Sequence, residues 1–292
     1  MENTEFEDNI SAMDVWAEDL RSELAEIITN EPSKTIFHYT DVNGLIGLIS
    51  HGCVWATHAS RLNDISENEH GFILVKEHVL NNFNSSSRQL FEKALLDCRS
   101  VETYVACYST KNDLLGQWRS YTGDRVGYCL GFETKDMATI DETMPSLEKV
   151  IYEDSKAIEL LDHLHLRVHD FLNTNSFCEV EVGYILGMVE ATLSNVACII
   201  KHHKFEEERE YRQIYQPGKT ALRLERSFRN GQFGLTPYVR ISFLEQDRLP
   251  LKSVTIGPCK DFELEENSLK ILLGQHGYEK VEIIKSEIPL RV

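Results

Sequence analysis

Four short polar segments carry the residue types from which a site can be built. Phe37-His38-Tyr39-Thr40 sets an imidazole, a phenol and a hydroxyl at the end of an apolar run. His38 and Thr40 suit the hydroxyls of a ribose, with Tyr39 as a wall; a packed histidine and a threonine N-cap account for the same residues. In Leu62-Asn63-Asp64-Ile65-Ser66-Glu67, Asp64 with Glu67 three positions on resembles a capping box, and carboxylates in a loop after a strand also bind ligands. The third segment runs from Cys107-Tyr108-Ser109-Thr110 through Trp118 and Tyr121 to Gly127 and Phe132. Trp118 and Tyr121, three apart, share a helix face, either as core packing or as an aromatic wall for a base or a nicotinamide ring. The fourth, from Lys201 to Arg212, is the most densely charged. If residues 208–214 form a strand, Glu208, Glu210 and Arg212 point to one face. Like charges so placed repel unless a cation, an arginine or a ligand sits between them. A solvated charge run is the competing account.

These segments need a scaffold, and the periodicity supplies one. Met13, Trp16, Leu20, Leu24 and Ile27 recur at helical spacing, which predicts an amphipathic leader helix over 11–29. Apolar runs predict strands at 35–39, 53–57, 103–109, 126–133, 147–153, 208–216, 238–244, 251–257 and 281–287. Helices fall between them: a short one after Thr40 ended by Gly52, others over 66–82, 87–98 and 264–275, and a helical stretch over 155–203. Strands and helices do not alternate regularly, so the expected class is α+β with a mixed or antiparallel core, not a doubly wound parallel sheet. The expected organisation is a helical leader at 1–30 and a single α+β domain over 31–292 with a helical insert at about 155–203.

Composition narrows the function. With 47 acidic against 30 basic residues the formal charge is −17, the wrong sign for broad attraction to nucleic acid or an anionic membrane. No secretory signal and no bilayer-length apolar run is read, so the expected location is cytoplasmic. Seven cysteines without a Cys-x-x-Cys pair read as reduced and mostly buried. No Gly-x-Gly-x-x-Gly, complete P-loop, Gly-x-Ser-x-Gly or His-Glu-x-x-His motif occurs. His163, His165 and His169 lack companion ligands for a zinc set, and no metal is expected.

Taken in order, His38-Tyr39, Leu62-Asn63-Asp64-x-x-Glu67, Trp118-x-x-Tyr121, Lys201, Glu208-x-Glu210-x-Arg212 and Val254-Thr255-Ile256-Gly257 resemble an uncharacterised bacterial family, domain of unknown function 2971. A more distant resemblance is to ADP-ribosyltransferases, which use a His or Arg on an early strand, a Tyr or Ser-Thr-Ser segment, and a late Glu. Here His38-Tyr39-Thr40, Tyr108-Ser109-Thr110 (or Tyr121) and Glu208-x-Glu210 stand in that order. That resemblance implies an ADP-ribosyltransferase-like core and NAD as substrate, in a transferase or an NAD glycohydrolase of toxin or phage-defence type. Glu210 would stabilise the oxocarbenium-like transition state and Glu208 would activate the acceptor. His38 and Thr40 would hold ribose, with Tyr39 or Tyr121 on the nicotinamide. Arg212 and Lys201 would neutralise pyrophosphate or separate the carboxylates; Asn63, Asp64, Glu67, Ser109 and Trp118 would complete the binding shell. Two other readings stand beside it. One is a metal-dependent phosphodiesterase or nuclease built on Asp64, Glu67, Glu208 and Glu210 with Lys201 or Lys204; the other is a non-catalytic binding or regulatory module.

Overall fold

The computed structural model describes residues 2–28, 33–62, 65–83, 87–122, 125–137, 147–217, 225–231, 234–243 and 248–289. In chain order the elements are α1 (Glu2–Ile28), β1 (Thr35–Asp41), α2 (Val42–His51), β2 (Val54–His58), α3 (Ile65–Asn82), α4 (Arg88–Asp97), β3 (Tyr104–Ser109), α5 (Leu115–Thr122), β4 (Gly127–Glu133), β5 (Leu147–Lys149), α6 (Asp154–Thr174), α7 (Glu179–Ile199), β6 (Glu210–Tyr215), β7 (Ser227–Gly231), β8 (Gly234–Ile241), β9 (Leu251–Ile256), α8 (Phe262–Gln275) and β10 (Glu282–Lys285). This is the expected α+β composition, with a mostly antiparallel open sheet.

The chain forms two compact units, each assembled from three separate segments. One comprises Met1–Asn30, Asp64–Thr103 and Glu148–His203; the other comprises Glu31–Asn63, Tyr104–Leu147 and Lys204–Val292. The leader and the insert drawn from sequence therefore fall in one unit, together with the helices after Asp64. Their apolar stripes need one another, because a lone amphipathic helix has nothing to bury its stripe against.

The first unit is helical. Leu160, Leu161, Leu164 and Val168 of α6 and Ile185, Val189 and Leu193 of α7 are buried. Trp16 of α1 stacks on Phe171 of α6 at 4.1 Å. Glu23 of α1 takes His163 at 2.7 Å and Arg167 at 2.8 Å, and His78 of α3 pairs with Asp162 at 2.7 Å. His165 stacks on Phe83 at 3.8 Å, so it packs instead of sitting loose on the surface. The strand expected at 147–153 shortens to β5 and an isolated bridge between Ile151 and Ile200. By length and composition α7 is apolar enough to cross a bilayer, contrary to the sequence expectation; half of that window is buried within the fold, as in an ordinary core helix.

The second unit holds the sheet, in the order β10-β9-β4-β1-β3-β2-β8-β7, with β6 also paired to β3. β9 and β10 run parallel, whereas β1–β4, β4–β9, β2–β8 and β7–β8 are antiparallel. One face packs Ile36, Ala106, Leu130 and Val254 with Leu45 and Leu48 of α2 and Leu269 and Leu273 of α8. Burial on both sides explains why β4, Gly127–Glu133, reads as an apolar run instead of an alternation. The helix after β1 is capped by Asp41, not by Thr40: Asp41 Oδ1 accepts from Gly44 N at 2.7 Å. The strand runs further than expected, pairing Asp41 with Gly127, and so leaves Thr40 buried within it. Gly52, at φ 64°, closes α2 in the left-handed region. β7, with Phe228 as its single large apolar residue, gives no sequence signal and is held as an edge strand by β8.

Candidate functional site

The sheet opens at β3. β6 pairs along one whole edge of that strand, from Tyr104↔Tyr215 to Ser109↔Glu210. β1 and β2 must therefore share the other edge. β2 takes one end, at His58↔Tyr104 and Thr57↔Val105, and β1 takes the other, at Phe37↔Ser109. Ala106 to Tyr108 are left without a strand neighbour there, and backbone groups in such a gap need other partners. His38 supplies one, with Nδ1 2.8 Å from the Cys107 carbonyl oxygen.

That contact fixes the chemistry of His38. A carbonyl only accepts, so Nδ1 donates and the neutral ring leaves Nε2 as an acceptor. Burial pushes the imidazole pKa down to about 4; the Cys107 bond opposes this and the charge of Arg229 adds to it. His38 is therefore neutral at pH 7. Its ring lies 5.6 Å from that of Tyr108, whose hydroxyl donates to Gln213 Oε1 at 2.8 Å.

Arg229 of β7 reaches over β2. Its Nη2 donates to Thr57 Oγ1 at 2.8 Å, and its guanidinium lies 5.6 Å from the Trp55 ring centre. Burial lowers its pKa, while Asp41, Tyr121 and Tyr238 act in the opposite sense. Thr57 pairs with Val105 and so lies, with Arg229, on the sheet face opposite that of His38; His38, Asp41 and Tyr121 are within electrostatic reach of the guanidinium. Nothing in the sequence marks Thr57, and Arg229 stands there only as an arginine in a polar stretch.

Several expected ligand-binding residues are spent on the fold instead. The Tyr39 hydroxyl donates to the Lys111 carbonyl at 2.8 Å and accepts from Leu114 N at 3.0 Å, and its ring meets Trp118 edge-on at 4.8 Å. It is no wall open to a ligand; the half-buried ring of Tyr121 lies 6.4 Å away. Trp118 is 1% exposed and donates through Nε1 to Asp113 at 2.7 Å. Asp113 also accepts from Ser286 Oγ at 2.6 Å and Glu287 N at 2.8 Å. Core packing is the role of Trp118. Ser109 Oγ donates to the Glu208 carbonyl at 2.7 Å and accepts from Lys111 N at 3.1 Å.

Glu208 and Glu210 do not share a strand face. Glu208 ends a 3₁₀ turn, Arg209 follows at φ 45°, and the strand starts at Glu210. A left-handed residue breaks the alternation that would align them. Arg212 does align with Glu210, its Nε 2.8 Å from Oε1 and its Nη2 3.0 Å from Oε2, both side chains almost fully buried. The row Phe37, Ser109, Glu210 occupies one face of the sheet, and His38 with Tyr108 the other. His38 and Glu210 are thus separated by the sheet. Lys201 lies buried in the helical unit, its backbone N–H donating to the Ile151 carbonyl at 2.9 Å. Asn63 and Asp64, and the side chain of Glu67, lie outside the described residues. No cluster of three metal-ligating side chains occurs among the described residues.

Fold and site together define an α+β protein with a split, mostly antiparallel sheet and a neutral histidine at the split, within electrostatic reach of a half-buried arginine. Residues 117–213 match the family model described as protein of unknown function (DUF2971). No curated protein and no solved structure matched the chain.

Proposed function

We propose that the opening between β1 and β2 binds NAD and that the protein cleaves the nicotinamide–ribose bond, as an ADP-ribosyltransferase or an NAD glycohydrolase. The supporting observation is His38: neutral, held through Nδ1 by the Cys107 carbonyl, with Nε2 left to accept from a ribose hydroxyl. In the reaction the bond from C1′ to the pyridinium nitrogen breaks and its electron pair leaves with nicotinamide. A water or acceptor nucleophile then bonds C1′ and gives up its proton. Positive charge grows on the ribose, and a fixed carboxylate field favours it. Glu210, hydrogen-bonded to Arg212, would supply such a field from the far side of the sheet. In this reading Tyr121 would offer a ring to the nicotinamide, and Glu208 would engage an acceptor.

A non-catalytic binding role draws on a separate observation. Tyr39, Ser109, Trp118 and the Glu210–Arg212 pair use their polar groups on neighbouring protein groups. The deciding experiment is nicotinamide release from NAD by the purified protein, with His38→Gln and Glu210→Gln variants checked for folding and an EDTA control. Release by wild type, indifferent to EDTA and lost in His38→Gln, is expected. No release together with no calorimetric binding of NAD would overturn the proposal in favour of the second reading.

A further inference from the structure

Arg229 is a half-buried cation whose hydrogen-bonding capacity the fold leaves mostly unused. A guanidinium has five N–H donors and needs acceptors for them once water is removed. Among the described residues one oxygen, Thr57 Oγ1, accepts from it, and Nε is buried with no partner. No carboxylate lies within ion-pair distance of it among those residues. Asp41, whose charge acts on it, commits Oδ1 to the cap of α2. The Trp55 ring attracts the charge but offers no lone pair to the N–H groups.

We propose that Arg229 is the docking point for a phosphate group of the ligand that enters between β1 and β2, so that the opening selects phosphorylated nucleosides over neutral sugars and free bases. This rests on reading the opening as a ligand site, and it names what the ligand must carry. The guanidinium presents a planar fork that matches two oxygens of a phosphate. Thr57 accepts from Arg229 and keeps its own O–H to donate to a third. His38, being neutral, adds no positive charge and instead accepts from a hydroxyl. An acceptor for a hydroxyl within electrostatic reach of a cation for an anion is the pattern a ribose phosphate fits. The net charge of −17 repels anions at long range, so capture depends on a fixed local cation such as this one.

The test is a calorimetric titration of inorganic pyrophosphate into the full-length protein, with Arg229→Lys and Arg229→Gln, each checked by circular dichroism, and citrate as a carboxylate control. Wild type should bind pyrophosphate at least tenfold more tightly than citrate. Arg229→Lys, which keeps the charge but loses the fork, should weaken pyrophosphate at least tenfold, and Arg229→Gln should abolish binding. Absence of pyrophosphate binding by wild type, equal binding by Arg229→Gln, or preference for citrate would each overturn the proposal. Its fate is separable from that of NAD cleavage: Arg229-dependent pyrophosphate binding without nicotinamide release keeps the phosphate site and removes the cleavage reading. Nicotinamide release with an unchanged KM in Arg229→Gln does the reverse.

Discussion

Acidification from pH 7 towards pH 4 will destabilise the wild-type protein more than it destabilises His38→Asn. The unfolded imidazole titrates near its ordinary 6.5, and the folded one at about 4. Between those values the unfolded chain holds a proton that the folded chain refuses. Stability supplied by the neutral ring is therefore complete above pH 6.5 and falls as the pH drops through the window. A pKa difference of one between the two states corresponds to about 1.4 kcal/mol, so a ring wholly cut off from solvent would forfeit about 3 kcal/mol. His38 as a whole is only half-buried, and screening reduces the expected difference to about 1.5–3 kcal/mol. The asparagine amide can still donate to the Cys107 carbonyl but does not titrate in this range. Urea unfolding of both proteins at pH 7, 6, 5 and 4.5 gives the double difference, from which the other titrating groups cancel. Parallel curves would refute the reasoning, as would an NMR titration placing the His38 ring near 6.5.

The Glu210–Arg212 pair should behave as a buried unit. Glu210→Leu or Arg212→Met alone is expected to cost about 3–5 kcal/mol, and the two together considerably less than the sum, read by chemical denaturation in a double-mutant cycle. Glycines in the helical unit should separate by what surrounds them. A Cβ on Gly71 would meet the Ala197 backbone oxygen at 2.1 Å, whereas one on Gly183 meets nothing within 4 Å. Thermal unfolding should therefore show Gly71→Ala destabilised by at least about 3 kcal/mol and Gly183→Ala stabilised by about 0.5–1 kcal/mol.

Legibility followed burial. β4 is readable because both of its faces are buried, which leaves a continuous apolar run. β7 is not, because an edge strand can be polar throughout and still be held by its neighbour's backbone. His38 stands out in the sequence as a residue able to do chemistry, while Arg229 does not, since it comes within reach of His38 only once β7 has paired with β8 beside β2. The shared face expected of Glu208 and Glu210 fails on the backbone of one residue, Arg209. Tyr39 and Trp118 are prominent in the sequence, but their prominence reflects the aromatic cluster around Asp113, where neighbouring polar groups take up the phenol and the indole N–H.

The way the chain crosses between its two units governs how it can assemble and be dissected. Strand β3 finds its full-length partner about a hundred residues later, at Ser109↔Glu210, and β2 finds β8 later still, at Thr57↔Tyr238. Pairings so distant in sequence make folding slow, and during synthesis the split at β3 cannot form until the chain beyond Tyr215 has emerged. Neither unit exists as one continuous stretch of chain. The family segment, residues 117–213, itself begins in the sheet unit, passes through the helical one and returns. A fragment cut to that segment would carry pieces of two cores and complete neither, so activity and binding have to be measured on the whole chain.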